Sequence, residues 1–422
     1  MDGIRVQGGR RLKGTVEVSG AKNAALPLVF SSLLTDQTCH YTGVPDVADI
    51  RTATKLLQSM GAGVETPAAG ELLIDCSTIC EWEAPYDLVR TMRASFLVLG
   101  PLVARFGRAR VSKPGGCAIG ARPVDLHLAA LARLGVRLET VHGYEEARTN
   151  GLRGAQVILN KPSVGATENV VMAASLAEGT TRIENAAREP EVIDLIQALR
   201  AMGANIRGEG TSVIEVEGVQ SLGGLTHRVI PDRIEAGTLL IAAAITAGDV
   251  LVRGARPGDL EQLLDALGQA GASVSEESDG LRLRCDVRPS AVDIRTAPHP
   301  GFATDLQAQF MALMCFADGR STVTETIFEN RFMHVGELQR MGAEIELSGN
   351  SAVVTGQVSL SGAHVMATDL RASVSLVLAG LAAEYQTDVL RVYHLDRGYE
   401  NIEAKLRALG ADVQRVKMSA SP

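Results

Sequence analysis

The stretch Leu199-Arg200-Ala201-Met202-Gly203-Ala204-Asn205-Ile206 decides the fold, because it occurs six times along the chain. The other copies run Leu57 to Val64, Leu131 to Leu138, Leu267 to Val274, Leu338 to Ile345 and Leu406 to Val413. Each places a leucine four residues before a glycine and an aliphatic residue three after it. The glycines, at 61, 135, 203, 271, 342 and 410, are separated by 74, 68, 68, 71 and 68 residues, so one unit of nearly constant length builds the whole chain. Each copy reads as a helix ending on its last Leu, Met or Ala, a glycine able to adopt the left-handed conformation, and then a strand.

Upstream of the motif lies a second apolar helix, as at 169–178, 236–247 and 373–383, followed by a short strand such as Thr181 to Ile183 or Asp249 to Val252. The unit is therefore β-α-β-α-β-β. Several of these first helices are apolar nearly all round, Leu239 to Ala247 being one, which predicts helices buried on every side with sheets around them. The sixth unit ends at Val416 without the partner strand that the third and fifth supply at Ser212 to Val216 and Ser351 to Thr355. The N-terminal stretch Ile4 to Val16 resembles Val353 to Val365 and can supply that strand. A chain that begins in one domain, builds the other and returns follows from this: a first domain at 22–229 with repeats one to three, and a second at 1–21 plus 230–422 with repeats four to six.

With 46% hydrophobic and 21% charged residues, the 422-residue chain has ample material for two cores and excludes a mainly disordered protein. Its longest apolar runs, Ala94 to Ala104 and Leu239 to Ala247, fall short of the roughly 18 residues of a membrane span. The start Met1 to Val6 lacks a basic patch followed by an apolar run, so a cytoplasmic location is expected. Six scattered cysteines, at 39, 76, 80, 117, 285 and 315, fit reduced thiols, and Cys76 and Cys80 lack the second pair that a zinc site needs. A net charge of −8 offers nothing to nucleic acid, so an anionic substrate must be held by local Lys and Arg clusters.

One segment departs from the repeat. Between Lys113 and Arg122, three glycines and a proline surround Cys117 where the other units have only a short strand-to-helix link. A buried structural cysteine belongs in an apolar run, whereas Cys117 sits in a mobile loop with Lys113 and Arg122 nearby, which favours function.

The stretch Pro114 to His127 resembles the signature loop of the UDP-N-acetylglucosamine 1-carboxyvinyltransferase family. Ser19 to Pro27, Thr91 to Ser95, Ser163 to Thr167, Glu184 to Pro190, Thr304-Asp305, Thr326 to Arg331 and Asp396 to Glu400 resemble it too, in the same order. The resemblance implies a two-domain inside-out α/β barrel of six repeats, three per domain, with the substrates in the cleft between the domains. It implies transfer of the enolpyruvyl group of phosphoenolpyruvate to UDP-N-acetylglucosamine, the first committed step of peptidoglycan synthesis, with no cofactor and no metal. By resemblance Lys22, Asn23, Arg122 and Arg397 hold phosphoenolpyruvate, with Arg331 and Arg371 as further anion clamps. Asn23, Arg93, Arg122, Pro123, Val124, Asp125, Leu126, Lys161, Pro162, Ser163, Val164, Asp305 and Ile327 hold the sugar nucleotide.

The chemistry needs an acid, a base and several cations. A thiol with an ordinary pKa of about 8.5 is protonated at neutral pH, so Cys117 is expected to protonate C3 of phosphoenolpyruvate, and its thiolate could form an adduct. Asp305 is the expected base for the sugar hydroxyl, with helix N-capping as the alternative for that residue. For Arg371 the alternative is a solvated surface charge, and for His127, His299 and His394 it is a second layer or the surface. The competing functions are enolpyruvyl transfer to shikimate 3-phosphate and a silent sugar-nucleotide-binding paralogue.

Overall fold

A computed structural model of the chain describes residues 2–113 and 124–417. They fall into two compact units, and the chain passes from one to the other between Ser19 and Gly20 and again between Ile230 and Pro231.

All six motif glycines have φ between +92° and +106°. In each copy the residue after the glycine donates its N–H to the carbonyl of the motif leucine, as Ala204 does to Leu199 at 2.9 Å, and the glycine donates to the next carbonyl, as Gly203 does to Arg200 at 2.9 Å. This pair of bonds satisfies two carbonyls that a helix C-terminus otherwise leaves open, and it requires the left-handed residue between them. The motif is thus a helix stop that turns the chain directly into an edge strand.

Among the described residues each repeat contributes one four-stranded sheet of constant order, first-second-fourth-third. The third repeat shows it: Gln156–Ile158 is parallel to Thr180–Glu184, which is antiparallel to Val213–Glu217, which is antiparallel to Asn205–Arg207. In the sixth repeat the fourth strand is Asp2–Gln7, antiparallel to both Gln386–Leu390 and Asp412–Lys417. The N-terminal stretch nevertheless divides its service. Lys13–Glu17 leaves that sheet and pairs in parallel with Asp249–Arg253 of the fourth repeat. Leu225–Arg228 likewise returns to pair in parallel with Cys39–Thr42 of the first.

The first helix of each repeat is buried. In Arg233–Ile245 buried positions run unbroken from Ile234 to Ile245, and in Ala372–Ala382 from Ala372 to Leu381. Both pack on Gln307–Met314, and each unit has its own apolar cluster built around such helices, so sheets lie outside and helices inside. Close crossing is made possible at Gly100, where a Cβ would lie 2.3 Å from Asn169 Oδ1 and 2.4 Å from the Asn169 carbonyl oxygen. No described helix is long and apolar enough to cross a membrane.

Candidate active site

Several of the site residues expected from sequence lie at the N-terminal ends of the buried first helices. Lys22 opens Lys22–Ser31, Arg93 opens the 3₁₀ segment Arg93–Val98 that leads into Leu99–Phe106, and Ser163 caps Val164–Ala174. In the other unit Asp232 caps Arg233–Ile245, Asp305 lies in the turn Thr304–Leu306 that leads into Gln307–Met314, and Arg371 precedes Ala372–Ala382. Helix N-termini carry partial positive charge and unpaired N–H groups, which suits anionic ligands.

In the unit running from Gly20 to Ile230, Lys22 is 9% exposed and its Nζ lies 3.0 Å from Asp49 Oδ2, itself buried. A lysine in the first helical turn opposes the helix dipole, so Asp49 offsets a positive charge that only an anion would otherwise neutralise. Asn23 and Val124 are half-buried, as are Leu126, Ser163 and Val164, while Asp125, Lys161 and Pro162 are exposed. Ser163 is extended, as its place after Pro162 allows, and its Oγ accepts from the Ala166 N–H at 3.4 Å. Lys113, expected near Cys117 as a source of positive charge, has its ammonium 2.9 Å from the buried carboxylate of Glu145. Cys117, Arg122 and Pro123 lie outside the described residues.

His127 sits behind these residues. Its Nδ1 is 3.1 Å from Asn169 Nδ2, whose Oδ1 accepts from the Gly100 N–H at 2.6 Å, so Nδ2 must donate and His127 carries its proton on Nε2. Burial, reinforced by the charge of Arg93, lowers its pKa to about 3 and keeps it neutral. Of the two bland readings for His127, the structure realises the second layer and not the surface.

In the unit made of the N-terminal segment and residues from Pro231 onward, Arg331 is 4% exposed. It donates from Nη2 to Asp305 Oδ1 at 2.6 Å and from Nη1 to Thr304 Oγ1 at 3.0 Å. Asp305 does not cap a helix; the residue in the cap position is Ala303, without a side-chain bond. Its second oxygen, Oδ2, lies 3.7 Å from Arg371 Nε, leaving a partly exposed carboxylate oriented by two guanidinium groups. Arg371 is no solvated surface charge: it is 3% exposed, donates to Asp232 Oδ2 at 3.1 Å and the Gly398 carbonyl at 2.8 Å, and lies over the Tyr399 ring. Two expected anion clamps are therefore engaged with carboxylates. Arg397 ends the 3₁₀ segment Val392–Arg397, is half-buried, and its charge adds to burial in lowering the pKa of His394. Ile327 is half-buried and its N–H donates to Glu325 Oε1 at 2.7 Å.

Asp49, Asp232 and Glu325 escape a motif-by-motif reading because each acts by pairing with a distant residue. Only Glu325 carried a signal, its position directly before the Thr326 to Arg331 stretch. Burial also sorts the thiols. It raises the pKa of Cys39 and Cys285, and takes Cys76 and Cys315 up to about 12, whereas Cys80 is exposed. No group of His, Cys, Asp or Glu suited to a metal ion occurs among the described residues.

The chain is 57% identical, over 99% of its length and 100% of the relative's, to a UDP-N-acetylglucosamine 1-carboxyvinyltransferase of Klebsiella pneumoniae. It is 56% identical, with the same coverage, to one of Desulfosudis oleivorans. Among solved structures it is similar to the enolpyruvyl transferase NikO from Streptomyces tendae, with a TM-score of 0.89, 25% identity and 99% of each chain covered. An EPSP synthase from Acinetobacter baumannii shares the fold, with a TM-score of 0.79 at 19% identity over 99% of this chain and 100% of that one. The family model for EPSP synthase (3-phosphoshikimate 1-carboxyvinyltransferase) matches residues 6–406, and with this full-length likeness the chain belongs to the EPSP synthase family, among its UDP-N-acetylglucosamine 1-carboxyvinyltransferases.

Proposed function

We propose that this chain transfers the enolpyruvyl group of phosphoenolpyruvate to the 3′-hydroxyl of UDP-N-acetylglucosamine and releases phosphate, the step that commits the sugar nucleotide to peptidoglycan. The observation that carries the reading is the 57% identity along the full length of a relative so named. The reaction is an addition followed by an elimination. The sugar oxygen bonds to C2 while C3 gains a proton; C3 then loses a proton as the C2–O bond to phosphate breaks.

In this reading Asp305, the partly exposed carboxylate held by Arg331 and Arg371, accepts the proton of the sugar hydroxyl. Cys117 delivers the proton to C3. Lys22, Asn23, Arg122 and Arg397 hold phosphoenolpyruvate, with Arg331 and Arg371 serving it chiefly by fixing Asp305. The sugar nucleotide takes Asn23, Arg93, the runs 122–126 and 161–164, Asp305 and Ile327. The catalytic groups are side chains throughout, and the reaction belongs to the cytoplasm, where phosphoenolpyruvate is made.

Transfer to shikimate 3-phosphate is the second reading, favoured by the name of the family model. Phosphate release from phosphoenolpyruvate, measured with each acceptor in turn, separates the two: release is expected with UDP-N-acetylglucosamine alone, and equal turnover with shikimate 3-phosphate would overturn the proposal.

A further inference from the structure

Glu325 follows the strand Arg320–Thr324 and is 2% exposed. Its main chain is clamped: the N–H donates to the Asn350 carbonyl at 2.8 Å, and Asn350 Nδ2 donates to the Glu325 carbonyl at 3.1 Å. The two carboxylate oxygens serve different ends. Oε1 accepts from Thr296 Oγ1 at 2.9 Å, from the Ile327 N–H at 2.7 Å and from the Phe328 N–H at 3.2 Å. Oε2 accepts from Thr304 Oγ1 at 2.8 Å. That same hydroxyl oxygen accepts from Arg331 Nη1 at 3.0 Å, while Arg331 Nη2 donates to Asp305.

A buried carboxylate is expensive to keep unless its lone pairs are filled, and four donors here fill them. The donors come from three sources: Thr296 after the strand Ile294–Arg295, the turn that carries Ile327 and Phe328, and the Thr304–Arg331–Asp305 chain. We infer that Glu325 is a positioning residue that sets the sugar-nucleotide turn at Ile327 and the proton-accepting carboxylate of Asp305 in register with each other. The inference rests on the proposed enolpyruvyl transfer to UDP-N-acetylglucosamine. Glu325 does not touch substrate; it acts through Ile327 on binding and through Thr304 and Arg331 on the direction of Asp305.

The two oxygens make separate predictions. Glu325→Gln can keep an acceptor toward the two N–H groups and Thr296, but it presents N–H₂ to a Thr304 oxygen that already accepts from Arg331. Thr304 then loses its acceptor, and only the Asp305 arm is disturbed. Glu325→Ala removes both arms. Thr304→Val cuts the second arm alone and leaves the turn in place.

The test combines calorimetric titration of UDP-N-acetylglucosamine with steady-state kinetics on the full chain. Loss of a bond to a charged group predicts a fall in kcat of about tenfold or more for Glu325→Gln and for Thr304→Val, with the sugar-nucleotide Kd within about threefold of wild type. The double variant Glu325→Gln/Thr304→Val is expected to lose no more than either single one, because both break one chain of contacts. Glu325→Ala is expected to weaken the Kd about tenfold as well. A role in stability alone would lower the melting temperature and leave the kcat and Kd of the folded protein unchanged, which would overturn the inference. So would additive losses in the double variant. If Glu325→Ala fails to fold, the other variants decide. Wild-type protein that neither binds nor turns over UDP-N-acetylglucosamine would instead defeat the functional reading on which the inference rests.

Discussion

Replacing His127 by glutamine tests how the layer behind the residues proposed to bind the sugar nucleotide is held. The neutral, Nε2-protonated ring accepts from Asn169 and packs edge-on against Phe96, with ring centroids 5.4 Å apart. Burial and the charge of Arg93 lower its pKa from the ordinary 6.5 to about 3. The unfolded chain therefore binds a proton on this ring first as pH falls. Stability from the neutral ring is fully present above about pH 6.5 and is lost through the window from there toward about pH 3. With about 1.36 kcal/mol per pH unit at full slope, the wild type is expected to lose about 2 kcal/mol between about pH 8 and about pH 5 from this residue alone. Glutamine does not titrate and can still offer an oxygen to Asn169, so the variant should lack that increment whatever its absolute stability. Urea unfolding followed by tryptophan fluorescence reads the right unit, because Trp82 is the sole tryptophan and lies in the unit that holds His127. An identical pH dependence in wild type and variant would refute the reasoning.

Other consequences can be measured separately. An epoxide phosphonate such as fosfomycin should alkylate Cys117 and spare the buried Cys39, Cys76, Cys285 and Cys315, whose raised pKa values leave little thiolate; peptide mapping checks this, and Cys117→Ser should abolish the label. Exposed Cys80 is the control, expected to react with iodoacetamide but not with the phosphonate. Asp305→Asn removes the proposed proton acceptor while keeping the shape, so kcat should fall by about 10² to 10⁴ with a small change in KM for UDP-N-acetylglucosamine, measured by phosphate release. Arg371→Ala strips the buried Asp232 Oδ2 of its ion-pair partner, and circular dichroism during chemical denaturation should show a loss of about 3–5 kcal/mol.

Much of this fold is written locally. The leucine, the glycine and the residue after it close the same two hydrogen bonds in all six copies, so spacing alone marks every helix stop and the edge strand that follows. Unbroken apolar runs such as Leu239 to Ile245 place helices inside because no polar face is left to meet water. The N-terminal stretch was harder to read. Ile4 to Val16 has one pattern of strand residues but three partner strands in two sheets, all more than 200 residues away, and register with such partners is not encoded within the stretch itself. At the site, charge type was legible and pairing was not. Arg371 stands in a plain local context, yet Asp232, Asp305 and the Gly398 carbonyl surround it from far along the chain. Asp305 resembled a cap because Thr and Asp before a helix often are caps; the arginine 26 residues later takes its oxygen instead.

The central claim, transfer of an intact enolpyruvyl group by carbon–oxygen cleavage, is tested most directly by following the bridging oxygen of phosphoenolpyruvate. With a heavy oxygen isotope at the bridge between C2 and phosphorus, and UDP-N-acetylglucosamine as acceptor, mass spectrometry should find the label in released phosphate and an unlabelled enolpyruvyl ether of the sugar nucleotide. Label retained in pyruvate beside a phosphorylated sugar, or no ether product with this acceptor, would contradict it.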